Sequence, residues 1–262
     1  MIEQLRKRLL DRENPVRIHL IGVAGAGMSG LARMLLEMGH RVSGCDRVTS
    51  DETERLQQGG LVFSCPHSAD SVKDAEVVIY SSAIREENVA LAAARKNGCL
   101  CLRRAECLAA ILNNKKGVVV AGTHGKTTTS SMLAWLLKDN ELDPSYMIGG
   151  IARNLGRGGH FTESDYCVLE GDEYDTSFFD KRSKFLHYLP EVVIINNIEM
   201  DHADIYANVD EIKLSFERLL RVVPSNGLVF INADCPNCAA VREAAAQELR
   251  TVRIAVSYTH LR

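Results

Sequence analysis

The stretch GVVVAGTHGKTTTSSMLAWLL, residues 117–137, begins as an apolar strand, breaks on two glycines around a Thr-His pair, and then turns helical. A strand that feeds a glycine-bounded turn and a helix N-terminus aims consecutive backbone N–H groups at one point, and that arrangement cradles phosphate. The loop residues are Gly122, Thr123, His124, Gly125, Lys126, Thr127 and Thr128. In such a loop the Lys126 ammonium reaches the outer phosphates and the Thr127 hydroxyl meets Mg²⁺. The usual pattern G-x-x-x-x-G-K-[ST] asks for glycine at position 120, where this chain has Val120; its glycine is Gly122. Strand, loop and helix still stand in the required order, so the stretch reads as a site for a nucleoside triphosphate such as ATP with its Mg²⁺.

A second glycine turn lies in IGVAGAGMSG, where Gly25, Gly27 and Gly30 spell G-x-G-x-x-G after a strand and Asp46 follows 16 residues later. That spacing admits a dinucleotide site. Gly22, three residues before the motif, ends the strand earlier than the dinucleotide pattern prefers, and a glycine turn at a helix N-terminus binds any pyrophosphate, that of a nucleotide sugar included. Two acidic clusters, VLEGDEYD and NNIEMDHADIY, each follow an apolar strand. In a parallel sheet the C-terminal strand ends share one edge with the phosphate loop, so Glu170 and His202 are expected near Lys126, where a carboxylate and an imidazole can hold Mg²⁺. Asp172, Glu173, Asp175, Glu199 and Asp204, taken singly, read as solvated loop charges.

The elements that must position these residues alternate. VRIHLIGV, RVSGCD and AEVVIYSS read as strands, MSGLARMLLEMG and NVALAAARKNG as helices closed by Gly39 and Gly98, and CLRRAECLAAILNNKKG as a helix with a polar connector. A second series follows: strands GVVVAG, DYCVLEGD, EVVIINNIE and GLVFINA, with helices TTTSSMLAWLLKDN, VDEIKLSFERLLRVV and CAAVREAAAQEL. Strand–helix alternation at this spacing predicts an α/β protein with two parallel-sheet units, divided near residues 113–117 into 1–112 and 113–262. With 262 residues, 46% of them hydrophobic, each unit can form a real core. A net charge of −3, with 31 basic and 34 acidic residues interspersed, offers no field to attract nucleic acid or an anionic membrane. No apolar stretch approaches a membrane span, and the charged N-terminus lacks a signal-peptide core, so a cytoplasmic protein is expected. The eight cysteines read as free thiols, with Cys45, Cys65 and Cys167 in buried surroundings; Cys235 and Cys238 form a CPNC that falls short of a zinc set.

The segments AGTHGKTTT, EGDEYD and NNIEMDHADIY, in that order, resemble the Mur ligases, the ATP-dependent amide-forming enzymes of peptidoglycan synthesis. GVAGAGMSGLA, SSAI and RRAECLA are similar to the UDP-sugar-binding N-terminal domain of that family. The resemblance implies a Rossmann-like UDP-binding domain over 1–112 and a P-loop ATPase-type central domain over 113–262. It implies UDP-sugar contacts from Gly22, Gly25, Gly27, Met28, Asp46, Ser81 and Ser82. Lys126, Glu170 and His202 would be catalytic, with Thr127 and Glu170 on one Mg²⁺ and His202 on a second. The implied substrates are UDP-N-acetylmuramate and a murein peptide or L-alanine, joined through an acyl phosphate. EYDTSFFDKRSKF is most similar to the murein-recycling branch, which takes the tripeptide L-alanyl-γ-D-glutamyl-meso-diaminopimelate, and Lys181, Arg182 and Lys184 there could engage the carboxylates of the tripeptide or of the UDP-sugar. The family's third, amine-binding domain has no counterpart before Arg262, and the ending VSYTHLR departs from the family pattern. The expectation is a truncated chain, its last residues not native, that binds UDP-sugar and ATP but does not ligate, with an unpaired sheet edge beyond GLVFINA.

Overall fold

The computed structural model describes residues 2–171, 188–200, 206, 208–245 and 248–255. Two strands, β1 (Arg17–Ile21), apolar apart from Arg17 and the buried His19, and β4 (Val77–Tyr80), are buried along almost their whole length. Such strands can sit only in the middle of a sheet covered on both faces. Around them β2 (Arg41–Cys45), β3 (Val62–Ser64) and β5 (Leu100–Arg103) complete a five-stranded sheet of order β3-β2-β1-β4-β5. All its neighbours run parallel. The connections include α2 (Ala26–Glu37), α3 (Asp51–Gln58), α4 (Val89–Lys96) and, after β5, α5 (Arg104–Leu112), against which the N-terminal helix α1 (Ile2–Leu10) packs.

The second sheet has seven strands in the order β12-β11-β10-β6-β9-β7-β8. β6 (Lys116–Ala121) lies at its centre, flanked by β9 (Tyr166–Glu170) and β10 (Val192–Ile195), and leads into α6 (Lys126–Asp139). β7 (Ser145–Met147) and β8 (Gly159–His160) form its one antiparallel pair at the edge. On the other side come α7 (Val209–Arg221), β11 (Leu228–Asn232), α8 (Pro236–Ala244) and β12 (Arg250–Ile254). The α/β class with two mainly parallel sheets is therefore as the alternating pattern predicts.

Several local expectations change. Residues 100–103 form β5 rather than the start of a helix, and the sequence pattern missed α3, β3, β7, β8 and β12. The edge expected beyond β11 is occupied, because β12 pairs with it in parallel from Leu228↔Arg250 to Asn232↔Ile254. Cys65 is exposed, not buried, because the chain has left β3 by that point. All eight cysteines are free.

One core cluster runs through both sheets, and α2 carries it across: Met28, Leu31, Met34 and Leu35 of α2 are buried in the same cluster as Met147 and Phe161 of the second sheet. Burial of each such side chain contributes about 1.5–3 kcal/mol. The approach is so close that a Cβ on Gly159 would lie 2.3 Å from the carbonyl oxygen of Gly30, so position 159 requires glycine, whereas a Cβ on Gly30 would press on the Met147 side chain at 3.0 Å. At the far end of α2, Glu37 accepts hydrogen bonds from Arg157 Nη1 (2.5 Å) and the Phe161 N–H (2.8 Å), with His160 Nδ1 at 3.0 Å. Burial works against this charge, yet the His160 and Phe161 hydrogen bonds with the Arg157 charge hold the Glu37 carboxyl below its usual range. The helix that begins at the first glycine turn is thus fixed at its other end to the second sheet.

Candidate functional site

The sheet order reverses between β1 and β4, and the crevice beyond their C-terminal ends is where an open α/β sheet takes a ligand. A cleft of about 890 Å³ opens there, lined among others by Gly22, Gly25, Asp46, His67, Ser81 and Arg85. The loop is tied to the end of β2: Gly22 N–H donates to the Cys45 carbonyl (2.8 Å) and Ala24 N–H to Asp46 Oδ2 (2.8 Å). Beneath it, His19 is buried with Nδ1 2.8 Å from Ser43 Oγ and Nε2 3.2 Å from Cys45 Sγ. Burial, with a smaller push from His67, lowers the His19 pKa to about 4, so the ring is neutral.

Of the residues assigned to a UDP-sugar, Gly22, Gly25, Asp46 and Ser81 line this cleft. Met28 does not: its side chain is 2% exposed in the core, because α2 turns it inward toward the second sheet. Ser82 is exposed and outside the lining. Gly27 faces a different space, a cavity of about 230 Å³ lined also by Arg104, Lys126, Gly149 and Glu170.

The second glycine turn follows β6. Gly122 (φ 137°) and Gly125 (φ 79°) adopt left-handed backbone that a side chain would strain. Lys126 Nζ donates to the Gly122 carbonyl (2.7 Å) and the Thr123 carbonyl (3.1 Å), folded across its own loop. The loop is held from β10: Thr123 N–H donates to the Asn197 carbonyl (3.0 Å) and His124 N–H to Asn197 Oδ1 (2.8 Å). Asn196 Nδ2 reaches Thr129 Oγ1 (3.1 Å), and Glu199 N–H donates to Thr123 Oγ1 (2.9 Å). Thr127 Oγ1 donates to Glu170 Oε1 (2.9 Å), while Glu170 Oε2 accepts the Gly149 N–H (2.7 Å). Thr128 and His124 are exposed on the same turn.

A hydroxyl and a carboxylate in contact are hard oxygen donors, which suits Mg²⁺. Thr127 and Glu170 therefore fit the metal assignment. His202 lies outside the described residues, as do Asp172, Glu173, Asp175, Asp204, Lys181, Arg182 and Lys184. Among the described residues no group of three or more His, Cys, Asp and Glu is placed to hold a metal ion.

The motif reading missed Arg104. Its guanidinium makes no hydrogen bond or ion pair with any described residue and lies against the start of α2, so that a Cβ on Gly27 would be 1.4 Å from Nη1. The signal was the RRAE at the head of α5, but only the fold brings it opposite a glycine turn more than seventy residues earlier. Asn196 and Asn197 were missed too, though an Asn pair directly after an apolar strand was legible.

Residues 17–116 match the profile described as Mur ligase family, catalytic domain, and residues 120–260 the one described as Mur ligase middle domain. The chain belongs to the Mur ligase family. Among curated Mur ligases it is 39% identical over 239 residues to a UDP-N-acetylmuramate–L-alanine ligase of Chlorobium luteolum, covering 91% of this chain and 49% of that one. A protein of the same name from Rubrobacter xylanophilus is 40% identical over 230 residues, covering 88% and 50%. The chain thus spans about half the length of these relatives. Among solved Mur ligases, the UDP-N-acetylmuramate:L-alanyl-γ-D-glutamyl-meso-diaminopimelate ligase of Neisseria meningitides superposes with a TM-score of 0.85 at 34% identity, over 91% of this chain and 78% of that one. The UDP-N-acetylmuramate-alanine ligase of Thermotoga maritima gives 0.77 at 27% identity, over 92% and 53%. Among the described residues, no helix of this Mur ligase chain is long and apolar enough to cross a membrane.

Proposed function

We propose that the chain supplies the UDP-sugar and ATP sites of an ATP-dependent amide ligase acting on UDP-N-acetylmuramate. The observation that carries this reading is the cavity shared by Gly27 and Arg104 of the first unit with Lys126 and Glu170 of the second. A carboxylate does not condense with an amine in water. In this reading a carboxylate oxygen of the sugar's lactyl group attacks the γ-phosphorus of ATP, ADP departs, and an acyl phosphate remains. The amine nitrogen then attacks the acyl carbon, phosphate leaves, and the nitrogen sheds a proton.

The first step joins two anions, so the protein's part is to hold them together and offset their charge. Lys126 swings from its own loop carbonyls to the β- and γ-phosphates, and the open N–H groups of the α6 N-terminus complete the cradle. Arg104 faces this cavity from the sugar side, where a fork of N–H donors suits a phosphate or carboxylate. Thr127 and Glu170 would hold Mg²⁺, which when bound supplies further positive charge at the phosphates. Gly22, Gly25, Asp46 and Ser81 receive the UDP part in the cleft beyond β1 and β4.

For the amine, the curated relatives favour L-alanine, since the relatives at 36–41% identity carry that name. The tripeptide is the second reading, favoured by the higher identity and TM-score of the meningococcal structure over the Thermotoga one. Calorimetric titration of the chain with UDP-N-acetylmuramate, Mg-ATP and NAD tests the site: the first two bind and NAD does not. Binding of NAD alone overturns the reading. Phosphate release and ligated product, followed with L-alanine and with the tripeptide in parallel, test whether the chain ligates at all and, where product forms, which amine it takes.

A further inference from the structure

We propose that Cys235 and Cys238 form a reversible dithiol–disulfide pair whose state sets how firmly the β10 loop grips the phosphate loop. Cys235 stands at the N-cap of α8, Pro236 opens the helix and Cys238 lies one turn in. A Cys-x-x-Cys at a helix N-terminus sets its two side chains on neighbouring positions of the first turn, and here both belong to one buried cluster. Cys235 is 9% exposed while Cys238 is fully buried. Both residues are buried, and of the two Cys235 lies nearer the surface and is the one a small oxidant meets first. Burial, reinforced by the neighbouring Cys235 sulfur, pushes the Cys238 thiol far up. Among the described residues no further ligand joins the pair into a metal set.

The pair sits behind the site. Cys235 Sγ accepts the Ile198 N–H at 3.5 Å, and Asn237 Nδ2 donates to the Ile198 carbonyl at 2.8 Å. Ile198 is fully buried, and residues 196, 197 and 199 on either side of it make the bonds that hold Thr123, His124 and Thr129. A disulfide fixes the two sulfurs about 2 Å apart. Cys235 Sγ then turns toward Cys238 and releases the N–H of the fully buried Ile198. The strand end shifts, and the phosphate loop loses its support from behind.

A hydroperoxide is the oxidant class that fits a sulfur of this limited exposure. The Cys235 thiolate attacks one peroxide oxygen, the O–O bond breaks, and hydroxide leaves to give a sulfenic acid. The Cys238 sulfur then attacks Cys235 Sγ, forming the S–S bond as the sulfenic oxygen departs with a proton as water. In total two thiols and one hydrogen peroxide give one disulfide and two waters, and an added dithiol reverses the change.

The test uses the native chain carrying Cys65→Ser, which removes the exposed thiol. Hydrogen peroxide is added, remaining thiols are alkylated, and peptides are mapped by mass spectrometry, with amide hydrogen exchange measured over residues 118–130. Expected is a Cys235–Cys238 disulfide that dithiothreitol reverses, together with at least threefold faster exchange at Thr123 and His124. Cys238→Ala, or Cys235→Ser if the first variant does not fold, should show no peroxide-induced change in that exchange. The proposal is overturned if both sulfurs stay alkylatable at a peroxide dose that oxidises Cys65 in the unsubstituted chain. It is equally overturned if the disulfide forms and exchange in the loop is unchanged.

Discussion

The two glycine turns of this chain solve one problem in different ways. Both leave a central parallel strand and enter a helix, α2 or α6, that has no side-chain cap and no acidic residue in its first turn. Elsewhere α3, α4 and α7 are capped by Ser50, Asn88 and Asn208. An uncapped N-terminus keeps its N–H groups open to an anion. The difference is the source of the cation. The turn after β6 carries its own, Lys126, stored on its own carbonyls. The turn after β1 has none within it; Arg47 and Arg85 line its cleft, and in the proposed reading Arg104 from the head of α5, which lies against Gly27, serves the cavity shared with Lys126. A cation in the loop is read from a local motif, whereas a borrowed one exists only after folding.

The comparison breaks first at Lys126. Lys126→Ala should weaken Mg-ATP binding on the order of a hundredfold or more, about 3 kcal/mol, since a charge-assisted contact to phosphate is removed. UDP-N-acetylmuramate affinity and the melting temperature should hold. Titration calorimetry with each ligand separates the effects; equal ATP affinity in both proteins would strip Lys126 of its role.

Acid should distinguish the two regions next. Both fully buried histidines among the described residues, His19 and His40, belong to the first unit. Unfolded, His19 takes up a proton below its ordinary value of 6.5; folded, it does so only near 4. Between those values the unfolded state binds more protons, so stability is complete above pH 6.5 and falls as pH drops toward 4. At about 1.4 kcal/mol per pH unit the loss is on the order of 2–3 kcal/mol. His40, also lowered chiefly by burial, adds in the same direction. Urea unfolding at pH 7 and pH 4.5 measures this, and His19→Gln should flatten the slope. A slope unchanged by that substitution would show that His19 titrates freely in the folded chain.

What was legible in the sequence follows the same division. The α/β class came from local alternation, and the Lys126 turn from a motif whose residues are neighbours in the chain. The approach of Glu170 to Lys126, which line one cavity, was legible because strand ends of a parallel sheet share an edge; its pairing with Thr127 was implied only by the family resemblance. Short or mixed strands were not. β5 runs straight into α5, so LCLR was absorbed into the helical pattern; β12, RTVRI, is an edge strand exposed at every position but one, with Val252 and Ile254 both open to solvent. Met28 was misplaced because a glycine motif says which backbone nears a ligand but not which way the next side chain turns.

The borrowed cation itself is tested by Arg104→Ala, which should lower UDP-N-acetylmuramate affinity about tenfold, roughly 1.5 kcal/mol, with a smaller loss for UDP alone. Arg104→Lys should recover part of it, because a point charge replaces the fork without its geometry. Calorimetry again decides, and an Arg104→Ala protein that binds the sugar nucleotide as tightly as the wild type would strip Arg104 of that role and leave Arg47 and Arg85 as the cations of the cleft.

Gly27→Ala offers the smallest effect and the sharpest discrimination. The added methyl would sit 1.4 Å from Arg104 Nη1, the far end of a flexible side chain, so the guanidinium yields rather than the backbone. Gly27 lies in the first turn of α2 at ordinary helical backbone, where alanine is preferred over glycine by about 0.5–1 kcal/mol. The variant should therefore melt at the wild-type temperature or slightly above it, yet bind UDP-N-acetylmuramate severalfold more weakly. If the loss arises through Arg104, it should vanish in an Arg104→Ala background, giving a coupling energy close to the whole effect of Gly27→Ala. Additive losses would mean that the methyl obstructs the ligand directly, and that Arg104 at the head of α5 is a neighbour of the turn rather than its cation.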